Sequence, residues 1–254
     1  MTKINKTFPV GRIIKVLRAT NFINIQTAAS RIKITDEQLG KLEINPKATS
    51  LYETLDKIAN AFQLPIPFLE ELHYLESKLE EDLTKQSNIT AEEKERLILQ
   101  ALAYKVLEYY LTPINLPIKL RYNKIPKTIT SKKPTNKNYN RIIKVLLSTN
   151  FISFKTLAKE SRLSLNTTYK INRSETNPTN KTLTKIAKPL KLSLEILYSL
   201  KELEKRLKEY LEQHSDMVEE RKELIILQAL SHALLDYYFN ESAEPQNLVK
   251  AIKR

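Results

Sequence analysis

Amide, hydroxyl and basic side chains lie close together between Ser164 and Arg173. Asn166, Thr167 and Lys170 are spaced so that a helix would place them on one side. Side chains of these types hydrogen-bond to the edges of nucleic-acid bases and to phosphate oxygens. A helix that carries them could therefore bind an anionic, hydrogen-bonding surface, and such binding needs no catalytic group.

Two short helices are predicted to position these side chains. Ser164 is a favourable N-cap for a helix over residues 165–172. A preceding helix over 154–159 turns Ala158 inward, and this small residue lets the second helix cross closely. The second helix then leaves six side chains on or beside its exposed face: Leu165, Asn166, Thr167, Tyr169, Lys170 and Arg173.

The composition excludes several kinds of site. The 254 residues include no Cys, which excludes disulfides, thiolate zinc ligands and Cys nucleophiles. Gly11 and Gly40 are the only glycines of the sequence, too few for a phosphate-binding loop or a dinucleotide fingerprint. We interpret His73, His214 and His232 as scattered surface or core residues without carboxylate or histidine partners at ligand spacing. The sequence predicts no enzymatic activity, no metal and no cofactor, and it does not identify a small-molecule effector.

The chain is a tandem duplication. The motif RIIKVL occurs at residues 12–17 and again at 141–146, an offset of 129. Later in the chain LILQAL at 97–102 matches IILQAL at 225–230, an offset of 128, so one residue was gained or lost between. The two copies, called copy 1 and copy 2 below, span residues 12–111 and 141–239.

Each copy divides into a portion with several short helices and a longer amphipathic helical hairpin. Leucine recurs at intervals of three and four over 72–83 and 200–211, which is helical spacing. Thr90 and Glu93 predict a capping box at the start of the second long helix of copy 1. The predicted division is a short-helix domain at 1–69, a helical hairpin at 70–111, a basic proline-containing linker at 112–138, a second short-helix domain at 139–197, a second hairpin at 198–240 and a tail at 241–254.

Positive charge is concentrated in one part of the chain. The net charge is +13, yet residues 109–194 contain 18 basic side chains and two acidic ones, whereas residues 70–108 and 195–240 carry more acids than bases. Such a field predicts an anionic partner, either nucleic acid or a membrane surface. Uncharged stretches reach only 12 residues, too short to span a bilayer, and the first ten residues have no apolar signal segment. We expect a cytoplasmic, nucleoid-associated protein with no membrane partner.

The run from Ser153 contains the motifs Leu157-Ala158-Lys159, Leu163-Ser164, Thr167, Ile171, Asn177-Pro178, Thr182-Leu183, Lys185-Ile186-Ala187 and Leu192-Ser193-Leu194-Glu195. In these residues it resembles the helix-turn-helix of the Cro/C1-type (XRE, lambda-repressor-like) DNA-binding family. The similarity covers about 45 residues there and, with the first short-helix portion, roughly 115 of 254 residues. The resemblance implies an all-α fold, with two tandem lambda-repressor-like helix-turn-helix domains, each followed by an amphipathic helical hairpin.

The resemblance also implies double-stranded DNA as the partner, read in the major groove by helix 165–172, with helix 36–43 as a second candidate. The family's base-reading positions match Leu165, Asn166, Thr167 and Lys170, and Phe154 matches a contact position at the start of the first helix. Asn177 and Asn180 fall in the following loop, where backbone contacts are common. The predicted DNA-binding residues are Phe154, Lys155, Ser164, Leu165, Asn166, Thr167, Tyr169, Lys170, Arg173, Asn177 and Asn180 in copy 2, and Gln26, Thr35, Glu37, Gln38 and Lys41 in copy 1.

Copy 1 keeps the apolar pattern but has a different exposed face. Its predicted helix over 36–43 begins with Asp36 and Glu37. Carboxylates repel phosphate, although they can accept a hydrogen bond from cytosine N4. Alternatively, these acids stabilise the helix N-terminus, together with a capping box between Thr35 and Gln38. We expect copy 1 to be the weaker base reader.

The turn between the two helices also differs from the family, which usually has glycine there. Lys33 and Arg162 occupy the position, and a left-handed backbone at a side-chain-bearing residue costs about 1–2 kcal/mol. The leading prediction is a sequence-specific transcriptional regulator of the repressor or phage-regulator type. The alternative is a protein-interaction or antitoxin-like module whose helical hairpins bind a partner, with DNA binding autoregulatory or lost in copy 1.

Two further questions stay open at this point. The hairpins could pack within the chain or support a homodimer. The basic side chains of the linker could be a solvated spacer or could contact phosphate without sequence preference. These linker side chains are Lys119, Arg121, Lys124, Lys127, Lys132, Lys133 and Lys137.

Overall fold

The computed structural model describes residues 8–45, 49–50, 52–114, 116 and 138–241. Within these ranges the chain forms twelve α-helices and one antiparallel pair of two-residue strands, so the predicted all-α class is confirmed. None of the described helices is long and apolar enough to cross a membrane. Most of the predicted linker, with its seven basic side chains, and nearly all of the tail lie outside the described residues.

The elements follow the duplication seen in the sequence. In copy 1 strand β1 (Phe8–Pro9) pairs with β2 (Thr49–Ser50). The helices of copy 1 are α1 (Gly11–Thr20), α2 (Ile25–Ile32), α3 (Asp36–Ile44), α4 (Tyr52–Phe62), α5 (Ile66–Thr84) and α6 (Ala91–Leu111). The helices of copy 2 are α7 (Asn140–Asn150), α8 (Phe154–Glu160), α9 (Leu165–Asn172), α10 (Asn180–Ala187) followed by a 3₁₀ turn (Lys188–Leu190), α11 (Leu194–His214) and α12 (Glu219–Glu241).

The chain divides into two compact units, with the boundary after Val106 inside α6. In the first unit α2 packs on α3 and α4, and α1 packs on α3 and α5. In the second unit α8 packs on α9 and α10, and α7 packs on α9, α11 and α12. The same order of packing recurs because the apolar positions of the short helices are kept in both copies.

Hydroxyl and amide side chains begin the short helices. Ser153, Ser164 and Thr179 accept hydrogen bonds from the backbone N–H three residues later, and Asn24 and Thr35 do the same in copy 1. A cap of this kind stabilises a helix by about 1 kcal/mol. The predicted caps at Ser164 and Thr35 are confirmed, and they fix the first residues of α9 and α3.

The turn that follows α2 and α8 is left-handed at the residue predicted to adopt that conformation. Lys33 has a φ of 62° and Arg162 a φ of 52°. After the second of these turns the N–H of Leu163 donates to the carbonyl of Ala158 at 3.0 Å, which closes the end of α8 as in a Schellman motif. The turn therefore keeps its shape without glycine.

The second long helix of each copy is more buried than predicted. The sequence pattern predicted one apolar stripe on α6 and on α12, but residues outside those stripes, such as Leu99, Tyr104, Leu227 and Leu235, are also buried. The interpretation of these two helices as amphipathic is therefore wrong. A helix that is apolar around most of its circumference is a core helix. The stripes of α5 and α11 are buried as predicted.

An arginine, buried in copy 1 and half-buried in copy 2, fixes the first helix of each copy against the long helices. Arg12 of α1 donates to Glu76 of α5 at 2.9 Å and lies 2.8 Å from Glu95 of α6. Arg141 of α7 donates to Glu204 of α11 at 2.7 Å in the same way. These contacts were not predicted, and they hold the short-helix portion of each copy on its own hairpin.

Candidate nucleic-acid interface

The inner side of α9 is buried and its outer side is exposed. Thr168 and Ile171 are 0% and 2% exposed, because they pack toward α7 and α8. Asn166 and Lys170 lie on the opposite side and are exposed, and Leu165 is 40% exposed. The predicted outer face of the helix is confirmed, except that Thr167 is half-buried.

The rings of Phe154 and Tyr169 pack together at this surface. Their centroids are 5.0 Å apart and their planes are inclined by 34°. The contact joins the first residue of α8 to the middle of α9, and Tyr169 remains 40% exposed. Sequence reasoning selected both residues as sites but not as a pair, because the contact depends on how the two helices cross.

Two of the predicted DNA-binding residues in α9 are engaged in the helix cap. Ser164 Oγ accepts a hydrogen bond from the Thr167 N–H at 3.0 Å, and the two hydroxyl oxygens are 2.8 Å apart. Asn166 and Lys170, by contrast, have no hydrogen-bond or ion-pair partner within the described part of the chain. The side-chain amide of Asn166 and the ammonium group of Lys170 lie one helical turn apart. They are therefore the polar groups of this face that can bind a ligand.

The remaining predicted residues of copy 2 lie outside α9 and are exposed. Lys155 is exposed in the first turn of α8, next to Phe154. Asn177 is exposed before α10 and Asn180 is the exposed first residue of that helix. Arg173, which follows α9, lies 3.8 Å from the carboxylate of Glu175, with both side chains largely exposed.

The surface around α9 is strongly basic. Residues 151–194 contain nine basic side chains and two acidic ones. Seven of the nine have no carboxylate within 4.0 Å among the residues that the structure describes, so their charge is not neutralised locally. Of these seven, the sequence analysis predicted only Lys155 and Lys170 as DNA-binding residues, although the number of basic side chains was visible in the composition. The seven are Lys155, Lys159, Arg162, Lys170, Lys181, Lys185 and Lys188.

In copy 1 the corresponding polar residues pair with one another. Thr35 Oγ accepts a hydrogen bond from the Gln38 N–H at 3.1 Å, and Gln38 Oε1 accepts one from the Thr35 N–H at 3.0 Å. Lys41 forms an ion pair with Glu37 at 2.6 Å. The predicted capping box is confirmed, and four of the five proposed contact residues in copy 1 are engaged within α3. Gln26 is exposed in the first turn of α2.

The charge and shape of α3 also differ from those of α9. Residues 22–66, which correspond to 151–194, contain five basic and five acidic side chains. Gly40 occupies the position of Tyr169, so copy 1 has no aromatic pair at this surface. Arg18 donates two hydrogen bonds of 2.7 Å to Glu43, which further neutralises the end of α3.

The histidines do not all fit the interpretation as isolated residues. His73 Nδ1 lies 3.9 Å from Glu76 Oε2, so the prediction that it lacks a carboxylate partner is wrong. His214 stacks on Tyr210 with ring centroids 4.6 Å apart, and His232 is buried. Among the described residues no group of three or more His, Asp or Glu is arranged to hold a metal ion.

Comparison of the chain with protein-family models, with curated proteins and with solved structures gave no match in any of the three. The function of the chain is therefore inferred from the side chains that α9 exposes and from the charges around them.

Proposed function

We propose that the chain is a sequence-specific DNA-binding transcriptional regulator of the repressor or phage-regulator type. In this proposal α2–α3 and α8–α9 are helix-turn-helix units like those of the Cro/C1-type family, and α9 enters the major groove. The observation that carries the proposal is the exposure of Asn166 and Lys170, without partners in the described residues, on a helix whose inner side is buried. Asn can pair with adenine through two hydrogen bonds, and Lys can donate to guanine O6 and N7.

The basic surface around α9 supports the same partner. Seven cations without carboxylate partners within the described residues would attract phosphates and position α9 on the duplex. Contacts of this kind add affinity without sequence preference. The exposed apolar side chains add a different contact, because Leu165 and Tyr169 can pack against thymine methyl groups.

We assign most of the base reading to copy 2. The polar groups of α3 are already paired, so using them for DNA would require breaking the contacts between Glu37 and Lys41 and between Thr35 and Gln38. A palindromic site would then need two copies of α9, about 34 Å apart along the duplex. A homodimer through the helical hairpins would supply the second α9.

Selection of bound sequences from a random duplex pool tests the proposal. We expect an enriched motif, and we expect Asn166→Ala and Lys170→Ala each to weaken binding to it by about tenfold or more, the cost of losing a base contact. Gln38→Ala and Lys41→Ala are the matched controls in copy 1, and their losses should be smaller. No enriched motif would contradict the proposal, and equal losses from both copies would contradict the assignment to α9.

The internally paired face of α3 favours one alternative for part of the chain. In that alternative copy 1 and the hairpins bind a protein partner, as in an antitoxin-like module, and DNA binding is autoregulatory. A partner that co-purifies stoichiometrically with the chain, together with a pool that yields no motif, would support this alternative.

A further inference from the structure

Copy 1 contains an ion cluster in which carboxylates outnumber cations. The guanidinium of Arg12, with its side chain 8% exposed, contacts Glu76 at 2.9 Å, Glu80 at 3.2 Å and Glu95 at 2.8 Å. Three carboxylates thus share one permanent positive charge. Like charges held this close disfavour full ionisation of the group.

His73 completes the cluster on the side of Glu76. Its Nδ1 atom is 3.9 Å from Glu76 Oε2, and both atoms are buried without a hydrogen-bond partner in the described structure. The other side of the imidazole packs on the ring of Phe8, with centroids 4.6 Å apart. Two unpartnered buried polar atoms therefore face each other just beyond hydrogen-bonding distance.

Copy 2 has the same framework with different charges. Lys201 occupies the position of His73, and its Nζ donates to Glu204 at 2.7 Å. Arg141 contacts Glu204 and Glu223, which correspond to Glu76 and Glu95. Lys208 occupies the position of Glu80. In copy 2 the carboxylates are therefore balanced by permanent cations.

We infer that His73 and Glu76 form a proton-binding site of copy 1, in which one proton between Nδ1 and Oε2 supplies the charge that the Lys201 ammonium supplies in copy 2. No bond other than N–H or O–H forms or breaks when the proton binds. The proton allows a hydrogen bond between the two atoms once they approach by about 1 Å. It also removes one negative charge from the surroundings of Arg12.

The electrostatics of the cluster agree with this inference. Burial raises the pKa of Glu76 to about 7, although the hydrogen bond and charge of Arg12 act in the opposite direction. Burial lowers the pKa of His73. Among the described residues, the charged groups that act on Glu76 are Arg12 from α1, Glu95 from α6 and Glu80 on α5. Because His73 and Glu76 are coupled, one proton is bound to the pair as a unit near neutral pH.

Carboxyl and imidazole NMR titrations of the full chain test the inference. We expect the Glu76 carboxyl to titrate near pH 7. His73→Lys, which installs the residue of copy 2, should lower that midpoint by at least one pH unit, a tenfold loss of proton affinity.

Two results would overturn the inference: a Glu76 midpoint between pH 4 and 5 in the native chain, or an unchanged Glu76 midpoint in a folded His73→Lys variant. If His73→Lys does not fold, the titration of the native chain still decides the question. These readouts report proton binding directly and are independent of DNA binding.

Discussion

The ring of Tyr169 in α9 rests on the ring of Phe154 in α8, with 5.0 Å between the centroids. This pair connects the helix proposed to enter the major groove with the helix that precedes it. An aromatic contact of this kind stabilises by about 0.5–1.5 kcal/mol beyond the area it buries. In copy 1 the two positions hold Gly40 and Ile25, so the contact is specific to copy 2.

Phe154→Ala is expected to weaken specific DNA binding by about three- to tenfold, because the loss of about 1 kcal/mol of ring contact loosens the placement of α9. Binding to the selected duplex would be measured by a gel-shift titration, with circular dichroism to verify that the helices persist. Ile25→Ala is the matched control in copy 1 and should leave the affinity unchanged. Equal losses from the two variants would contradict the role of the pair.

Lys170→Ala is expected to reduce the salt dependence of DNA binding, since it removes a cation that has no carboxylate partner among the described residues. The slope of log affinity against log salt should fall by about one if Lys170 contacts a phosphate. Fluorescence anisotropy over a series of salt concentrations measures this slope. Lys41→Ala should leave the slope unchanged, because the Lys41 ammonium is already paired with Glu37. An equal change of slope in the two variants would contradict the proposal that α9 binds phosphate through Lys170 while α3 does not bind it through Lys41.

Arg162→Gly is expected to stabilise copy 2 by about 0.5–1 kcal/mol, because glycine adopts the left-handed backbone at no steric cost. Lys33→Gly should act similarly in copy 1, since both residues have positive φ angles. Urea unfolding followed by circular dichroism measures the change. Arg206→Gly, at an exposed site in the middle of α11, is the control and should destabilise by about 1 kcal/mol. Destabilisation by Arg162→Gly as well would show that the turn is not strained.

Gly40→Ala and Gly11→Ala should change stability in opposite directions. Gly40 lies within α3 with open space around its α-carbon, so a methyl group there should stabilise the helix by about 0.5–1 kcal/mol. A methyl group on Gly11 would meet the carbonyl oxygens of Leu42 and Asn45 and should destabilise the fold. Thermal unfolding of the two variants provides the comparison. If both variants were more stable than the native chain, the carbonyl oxygens of Leu42 and Asn45 would have to move aside at little cost, which would contradict the prediction for Gly11.

Glu76→Gln should alter how stability depends on pH. The pKa of Glu76 in the fold, about 7, is above its ordinary value of 4.5, so its stabilising contribution is complete below pH 4.5 and is lost as the pH rises through 7. Glutamine does not ionise and avoids this loss. The difference in the free energy of unfolding, variant minus native chain, should therefore grow as the pH rises from 5 to 8, by on the order of 1–2 kcal/mol.

Chemical unfolding at several pH values measures this difference. Glu204→Gln is the control, because permanent cations already surround Glu204, and its difference from the native chain should be the same at pH 5 and pH 8. The account of the copy 1 cluster would be contradicted if this free-energy difference changed with pH in the same way in both variants. It would also be contradicted if the difference for Glu76→Gln became smaller as the pH rises.

Local features of the fold were predictable from the sequence because they depend on neighbouring residues. Ser164 and Thr35 fixed the starts of α9 and α3 through side-chain caps that reach only three residues. The left-handed turns at Lys33 and Arg162 lie where the family proposed for this chain usually has glycine, and they were predicted on that ground. The outer face of α9 followed from helical spacing alone.

Contacts between distant residues were not predictable in this way. Arg12 and Glu76 are 64 residues apart, and no periodicity links a buried guanidinium to that carboxylate. The Phe154–Tyr169 pair depends on the angle at which two helices cross. How much of α6 and α12 is buried depends on the elements that surround each helix. The apolar stripe in the sequence therefore predicted fewer buried residues than the structure has.

The residues with a left-handed backbone conformation offer a way to recognise relatives of this chain. Beyond the turns at Lys33 and Arg162, positive φ angles recur at Phe22 and Phe151, and at Gln63 and Lys191. Each pair holds equivalent positions of the two copies, and the side chain is the same only in the pair of Phe22 and Phe151. In diverged sequences such positions drift toward glycine or asparagine, which tolerate this backbone best. A recurrence of those residues at these intervals would mark common ancestry even where the helices had lost their similarity.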